Sequence, residues 1–130
     1  MKLLSLFLIL FFSVSVFSYS KEDLIKFKST GQCENCDLRN ITSINNSFIG
    51  SNLKGADLSG ADLSKSSFIS ANLSGANLKD TVLIGAFFSS ANLRNANLSG
   101  SNLIGISFSN ADLNNADLSN ADLTNAKISR

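Results

Sequence analysis

From Phe48 to Ile128 every fifth residue is Leu, Phe or Ile, without a miss. A five-residue period fits neither regular secondary structure. Five steps around an α-helix drift by about 140°, and five along a strand land on the opposite face. The chain must therefore turn once per unit. Phe48, Phe68, Phe88 and Phe108 recur every 20 residues, with three Leu between each pair. If each unit turns by about a right angle and points its central side chain inward, four units close one lap of a square coil. Stacking laps at the inter-strand spacing of about 4.8 Å, nearly five of them give a rod about 24 Å long.

The other positions of the unit fit this geometry. Two residues before each centre the chain is small, as at Ala56, Ala61, Ser66, Ala71, Thr81 and Ala86, which leaves room for the larger side chain. Asn or Asp precedes most centres, as at Asn52, Asp57 and Asp62, and Gly or Asn often stands two residues after, as at Gly50, Gly55, Gly60 and Asn95. Gly and Asn tolerate positive φ and Asx side chains bond nearby amides, so these are expected corners. Each buried Leu contributes roughly 2 kcal/mol. A coiled coil fits poorly, because a 3.5-residue period does not keep a strict count of five.

Units such as Ala61-Asp62-Leu63-Ser64-Lys65 and Ala71-Asn72-Leu73-Ser74-Gly75 resemble the A-[DN]-L-x-x repeat of the pentapeptide-repeat family, over Cys33 to Arg130. The resemblance implies an all-β solenoid, the right-handed quadrilateral β-helix of that family. Departures fall at Ser43, a polar centre, and at Ile41, Ile106 and Asn46, which occupy small positions. They leave the register of the first coil open.

The chain divides into residues 1–20, 21–32 and 33–130. In the first segment Lys2 precedes an apolar and Ser stretch from Leu3 to Phe17, followed by Ser18-Tyr19-Ser20. This reads as a bacterial-type secretory signal cleaved after Ser20, since about 15 residues is short for a membrane span. An exported protein, periplasmic or secreted, without stable membrane insertion after cleavage, is expected. In the second segment Leu24, Phe27 and the stem of Lys28 have helical spacing and Gly31 supplies a stop. Too short to stand alone, this helix is expected to cap the first coil, whose interior and backbone edge would otherwise be open. At the other end the repeat runs to Ile128, where an open coil edge could pair with a second copy or be blunted by Lys127, Arg130 and the last Asp residues.

Chemistry is sparse. The chain has no His or Trp, a single Tyr and two Cys. Cys33 and Cys36 both point inward in the repeat register. Metal binding would need two more ligands, a thioredoxin-like pair would need a βαβ setting, and a catalytic thiol would need a His. In an exported chain a structural disulfide is the expected state, with two buried thiols as the alternative. Asp112, Asp117 and Asp122 fall on three different walls, too far apart to converge on Ca²⁺. No catalytic residue, cofactor or metal site is expected, and the protein is read as not an enzyme. Basic residues, interspersed with Asp and Asn, lack the aromatic interleaving of a nucleic-acid platform, so no nucleic-acid partner is expected.

Family members that mimic DNA and shield gyrase are strongly acidic and cytoplasmic, whereas here, Lys2 apart, basic and acidic side chains balance. The resemblance thus implies the fold rather than that activity. A small regulator or inhibitor of a specific enzyme stays as the alternative function, and an ice-binding surface is a weaker one because Thr is scarce. More informative are apolar residues at outward positions. Ile44, Val82, Ile84 and Ile104 lie on one wall and Ile49, Ile69 and Phe87 on the next, while Arg39, Lys54, Lys79 and Arg94 occupy equivalent places on the other two, so an apolar flank and a basic flank are expected. The expected function is an exported, non-enzymatic protein-binding or structural module. Its candidate interaction face is Ile49, Ile69, Val82, Ile84, Phe87 and Ile104, taking an unknown protein partner or a second copy.

Overall fold

The computed structural model describes residues 19–129 of the chain. A helix, α1, runs Lys21–Thr30. Ser20 caps it, its Oγ accepting from the Asp23 N–H, and Gly31, at φ 67°, ends it by donating its N–H to Phe27 O. Glu22 and Asp23 in the first turn and Lys28 in the last complement the helix dipole.

Beyond α1 the chain coils. One residue per unit bridges in parallel to the residue 20 positions on, from Gln32 with Asn52 to Ser107 with Lys127. The ladder is dense: Leu53 N donates to Asn72 O at 2.7 Å, Asn72 N to Ser51 O at 2.9 Å and Gly55 N to Ser74 O at 2.9 Å. Four units make each lap, as the spacing requires. The walls hold isolated bridges rather than extended strands, because the turn consumes the remainder of each unit.

Each corner is a β-turn. Ala56 N donates to Leu53 O at 3.0 Å, and the third turn residue, Gly55, has φ 65° while the second does not go positive, which is the type II pattern. The same positive φ recurs at Asn35, Asn95 and Asn115, and also at Lys65, Ser70 and Ser90, whose side chains gain nothing there. At Gly55 and Gly60 a Cβ would also meet the Oδ1 of Asn35 or Asn40 on the preceding lap, which would have to move aside, whereas a Cβ at Gly75 meets nothing.

Inside, the Leu residues from 38 to 103 are fully buried, and the Phe rings form a column. Ring centroids are 5.1 Å apart for Phe48–Phe68, 4.8 Å for Phe68–Phe88 and 5.8 Å for Phe88–Phe108. Phe27 of α1 stacks on Phe48 at 4.4 Å, so the helix supplies the ring that a preceding lap would have given. Some buried hydroxyls find backbone acceptors: Ser66 Oγ donates to Ser43 O at 2.8 Å and Ser101 Oγ to Leu78 O at 2.6 Å.

The first-coil register holds at Ser43 and Ile41, both buried, and Ile106 is accommodated inside as well. Asn46 departs. It is exposed, its Nδ2 donates to Ser43 Oγ at 3.0 Å and to Ile44 O at 3.1 Å, and its N–H goes to Ser66 Oγ instead of closing the usual turn. No described helix is long and apolar enough to cross a membrane. Residues 1–18 of the expected signal lie outside the described residues, whereas Tyr19 and Ser20 lie within them.

Candidate functional site

Cys33 and Cys36 form a disulfide across one corner of the first coil, with Cα atoms 5.2 Å apart. Cys33 is wholly buried and Cys36 nearly so. Asp23 of α1 brings a carboxylate within 4.8 Å of the sulfurs, but a disulfide offers no thiolate to a metal. Asp23 has another task. Its Oδ2 accepts the Asp37 N–H at 2.8 Å, while Ser20 N donates to Asp37 O at 3.0 Å, so one peptide segment of the first coil is held from both sides by the start of the cap.

The outward ranks differ sharply by wall. On the walls centred on residues 43, 63, 83 and 103 and on 48, 68, 88 and 108, the residues facing solvent include Ile44, Ile49, Ile84 and Phe87, all exposed, with Ile49 at 60% and Phe87 at 48%. Ile69, Val82 and Ile104 are half-buried on the same walls. Ile84 and Phe87 flank the corner at Gly85, and the stem of Lys65 lies against that glycine. The side-chain oxygen of Ser67, bridged to Phe87, is buried without a hydrogen-bond partner. The six residues expected to form an interaction face therefore share two adjacent walls, with Ile49, Ile84 and Phe87 exposed and Ile69, Val82 and Ile104 half-buried.

The other two walls are polar and internally satisfied. Asn77 Nδ2 donates to Asp57 Oδ1 at 3.2 Å from one lap to the next, and Asx side chains accept from amides two residues on, as in Ser59 N to Asp57 Oδ1 at 3.0 Å. Three of the four cations expected to make a basic flank are paired: Arg39 with Asp37 at 2.8 Å, Arg94 with Asp112 at 3.2 Å and Lys54 with Glu34 at 3.6 Å. The flank is thus mixed rather than basic, because acidic groups on the same walls come within reach once the laps stack. Arg39 holds the Asp37 carboxyl below its usual range by hydrogen bonding. Asp112 is lowered chiefly by the Asn114 amide, Asp117 by the Ser119 hydroxyl and Asp122 by the Thr124 hydroxyl, each within its own turn.

One feature escaped the sequence. Where Asn46 turns outward, a recess of about 560 Å³ opens between α1 and the first coil, lined by Phe27, Lys28, Ser43, Ile44, Phe48 and Ser51 among others. Ser51 Oγ is buried there without a partner. The polar residue at a small inward position was the available signal.

The sequence profile described as Pentapeptide repeats matches residues 32–64, 61–100, 71–110 and 91–130. No curated protein matches the chain. Among solved structures, the chain resembles the pentapeptide repeat protein Rfr23 from the cyanobacterium Cyanothece 51142, with a TM-score of 0.60 and 20% identity, over 82% of this chain and 97% of that one. It also resembles a pentapeptide repeat protein of the Arabidopsis thaliana thylakoid lumen, with a TM-score of 0.51 and 28% identity, over 89% of this chain and 73% of that one.

Proposed function

Because the chain belongs to the pentapeptide-repeat family, we propose that it is an exported, non-enzymatic solenoid that docks a protein, or a second copy of itself, through its two apolar walls. One observation carries the reading. At outward positions where the other walls present polar or charged side chains such as Asn, Asp, Ser, Lys or Arg, these walls present Ile44, Ile49, Ile69, Val82, Ile84, Phe87 and Ile104 interspersed with residues such as Asp62, Ser64, Ser67 and Ser89. A cluster of exposed and half-buried apolar side chains confined to two walls of an otherwise polar rod marks an interaction surface. A rigid coil suits this role, since its outward side chains are held by backbone ladders and lose little freedom on binding. Export is supported by Lys2 followed by the apolar run Leu3–Phe17, and the likeness to a thylakoid-lumen protein accords with work beyond a membrane.

The test is sedimentation velocity of the purified protein together with pull-down from the host's extracytoplasmic fraction. Phe87→Ser should weaken association by about 30-fold, the usual consequence of truncating an aromatic anchor at about 2 kcal/mol, and leave the melting temperature unchanged. Lys79→Ser, on an opposite wall, should change nothing. No association with any species, or equal losses from both substitutions, would overturn the proposal.

A further inference from the structure

Three bonds near the end of the leader-like segment have small residues at −1 and −3 or nearly so: after Ser15, after Ser18 and after Ser20. Sequence alone favours the last, with Ser20 and Ser18 in those places. The fold argues against it. Ser20 is built into the domain by three backbone and side-chain bonds: its Oγ caps α1 by accepting from Asp23 N at 3.2 Å, its carbonyl accepts from Leu24 N at 3.0 Å, and its N–H donates to Asp37 O at 3.0 Å. Tyr19 is half-buried and packs against the core.

Cleavage after Ser20 would remove all of this. It would also leave an α-ammonium on Lys21, adding a second positive charge to the first turn of α1, where free N–H groups already make the helix end positive. Cleavage after Ser15 would leave three further residues, Val16, Phe17 and Ser18, ahead of the packed Tyr19.

We infer that the export signal is removed between Ser18 and Tyr19, so that Tyr19 and Ser20 are the first residues of the mature domain and dock its cap. The inference rests on the export proposed above. In the step itself a signal endopeptidase adds water across the Ser18–Tyr19 peptide. The C–N bond breaks, the acyl side leaves as the Ser18 carboxylate, and the amine side takes up a proton as the Tyr19 α-ammonium. Val16 and Ser18 then fill the −3 and −1 places. The free ammonium lies two residues before α1, clear of its first turn.

The full-length chain, expressed in a bacterial host and recovered from the periplasm and medium, is read by intact mass and N-terminal sequencing. A chain beginning at Tyr19 is expected, retaining the protein's single Tyr and its absorbance. A chain beginning at Lys21, or anywhere else downstream of Met1, would overturn the inference while leaving export standing. Recovery of the Met1 chain alone would overturn export and the inference with it. A second measurement separates the cap from the cleavage. Ser20→Ala should be processed at the same bond but melt lower by about 5 °C, and Ser20→Asn, which keeps a capping oxygen, should recover most of that loss. Processing that moves with residue 20 would count against the assignment.

Discussion

In the laps between residues 51 and 110 most large inward side chains rest on a like one 20 residues away, whereas the first lap has no lap beneath it and is closed by contacts used once. The middle is held by repetition: Leu on Leu, Phe on Phe, one backbone ladder copied along each wall. The beginning is held by Phe27 stacked on Phe48, by Ser20 and Asp23 gripping Asp37, by the Asp37–Arg39 pair and by the Cys33–Cys36 disulfide. Repetition specifies an interior with few residue types. A boundary has no neighbour to copy and needs particular ones.

The largest effect should come from breaking the middle. Leu73→Asp places a charge in a wholly buried position and should unfold the rod, while Asn72→Asp, one residue away and half-buried on the outer face, should shift the melting temperature little. Circular dichroism melts of the two variants would expose a wrong register if both were tolerated.

At the boundary, Phe27→Ala removes the ring that covers the column. It should cost about 3 kcal/mol, the low end for a buried aromatic because the lost contact is at one end only. Chemical denaturation measures it, and hydrogen exchange should find the loss concentrated in the first lap. Breaking the disulfide with Cys33→Ala and Cys36→Ala should cost about 2 kcal/mol on the loop-entropy estimate, with the β signal intact. Thiol labelling after denaturation of the oxidised protein should count no free thiol.

A finer contrast concerns corners. Gly75→Ala should cost about 1 kcal/mol, for positive φ alone. Gly55→Ala should cost more, since its methyl would also meet Asn35, and the excess should vanish when Asn35 is changed to Gly.

The smallest effect is pH. The Asp37 carboxyl is held below its usual range in the fold, so its contribution is present above the unfolded carboxylate pKa and is lost as pH falls below about 4 through the folded value. Acid melts should show a shallower loss in Arg39→Gln, which removes the guanidinium that lowers Asp37 most and leaves only the backbone N–H of residue 39.

How much of this was legible follows the same division. The Leu and Phe ranks, the small inward residues and the positive-φ corners could be read because a period of five repeats its evidence in every unit. The helix was readable from Leu24, Phe27 and Gly31. Asn46 stood out as a polar residue at a small inward position, but its rotation outward, with the amide reaching Ser43 and Ile44, was not readable. Nor was the flank of Arg39, Lys54 and Arg94, whose partners are set by side-chain reach rather than period. From the sequence Ser20 reads as the last residue of a leader; that it also caps α1 and meets Asp37 shows only once the fold brings Asp23 and Asp37 to it.

The corners also make the rod's outside independent of its inside. Deleting 20 residues, 71–90 for example, would join like walls and shorten the rod by one lap. Deleting five would keep every Leu, Phe and Ala pointing inward, at the expense of a break in the Phe column, yet rotate all that follows by a quarter turn relative to what precedes it. Ile84 and Phe87 would then swing away from Ile44 and Ile49. Insertions and deletions in such a chain act as a phase dial, re-aiming a surface without redesigning a core.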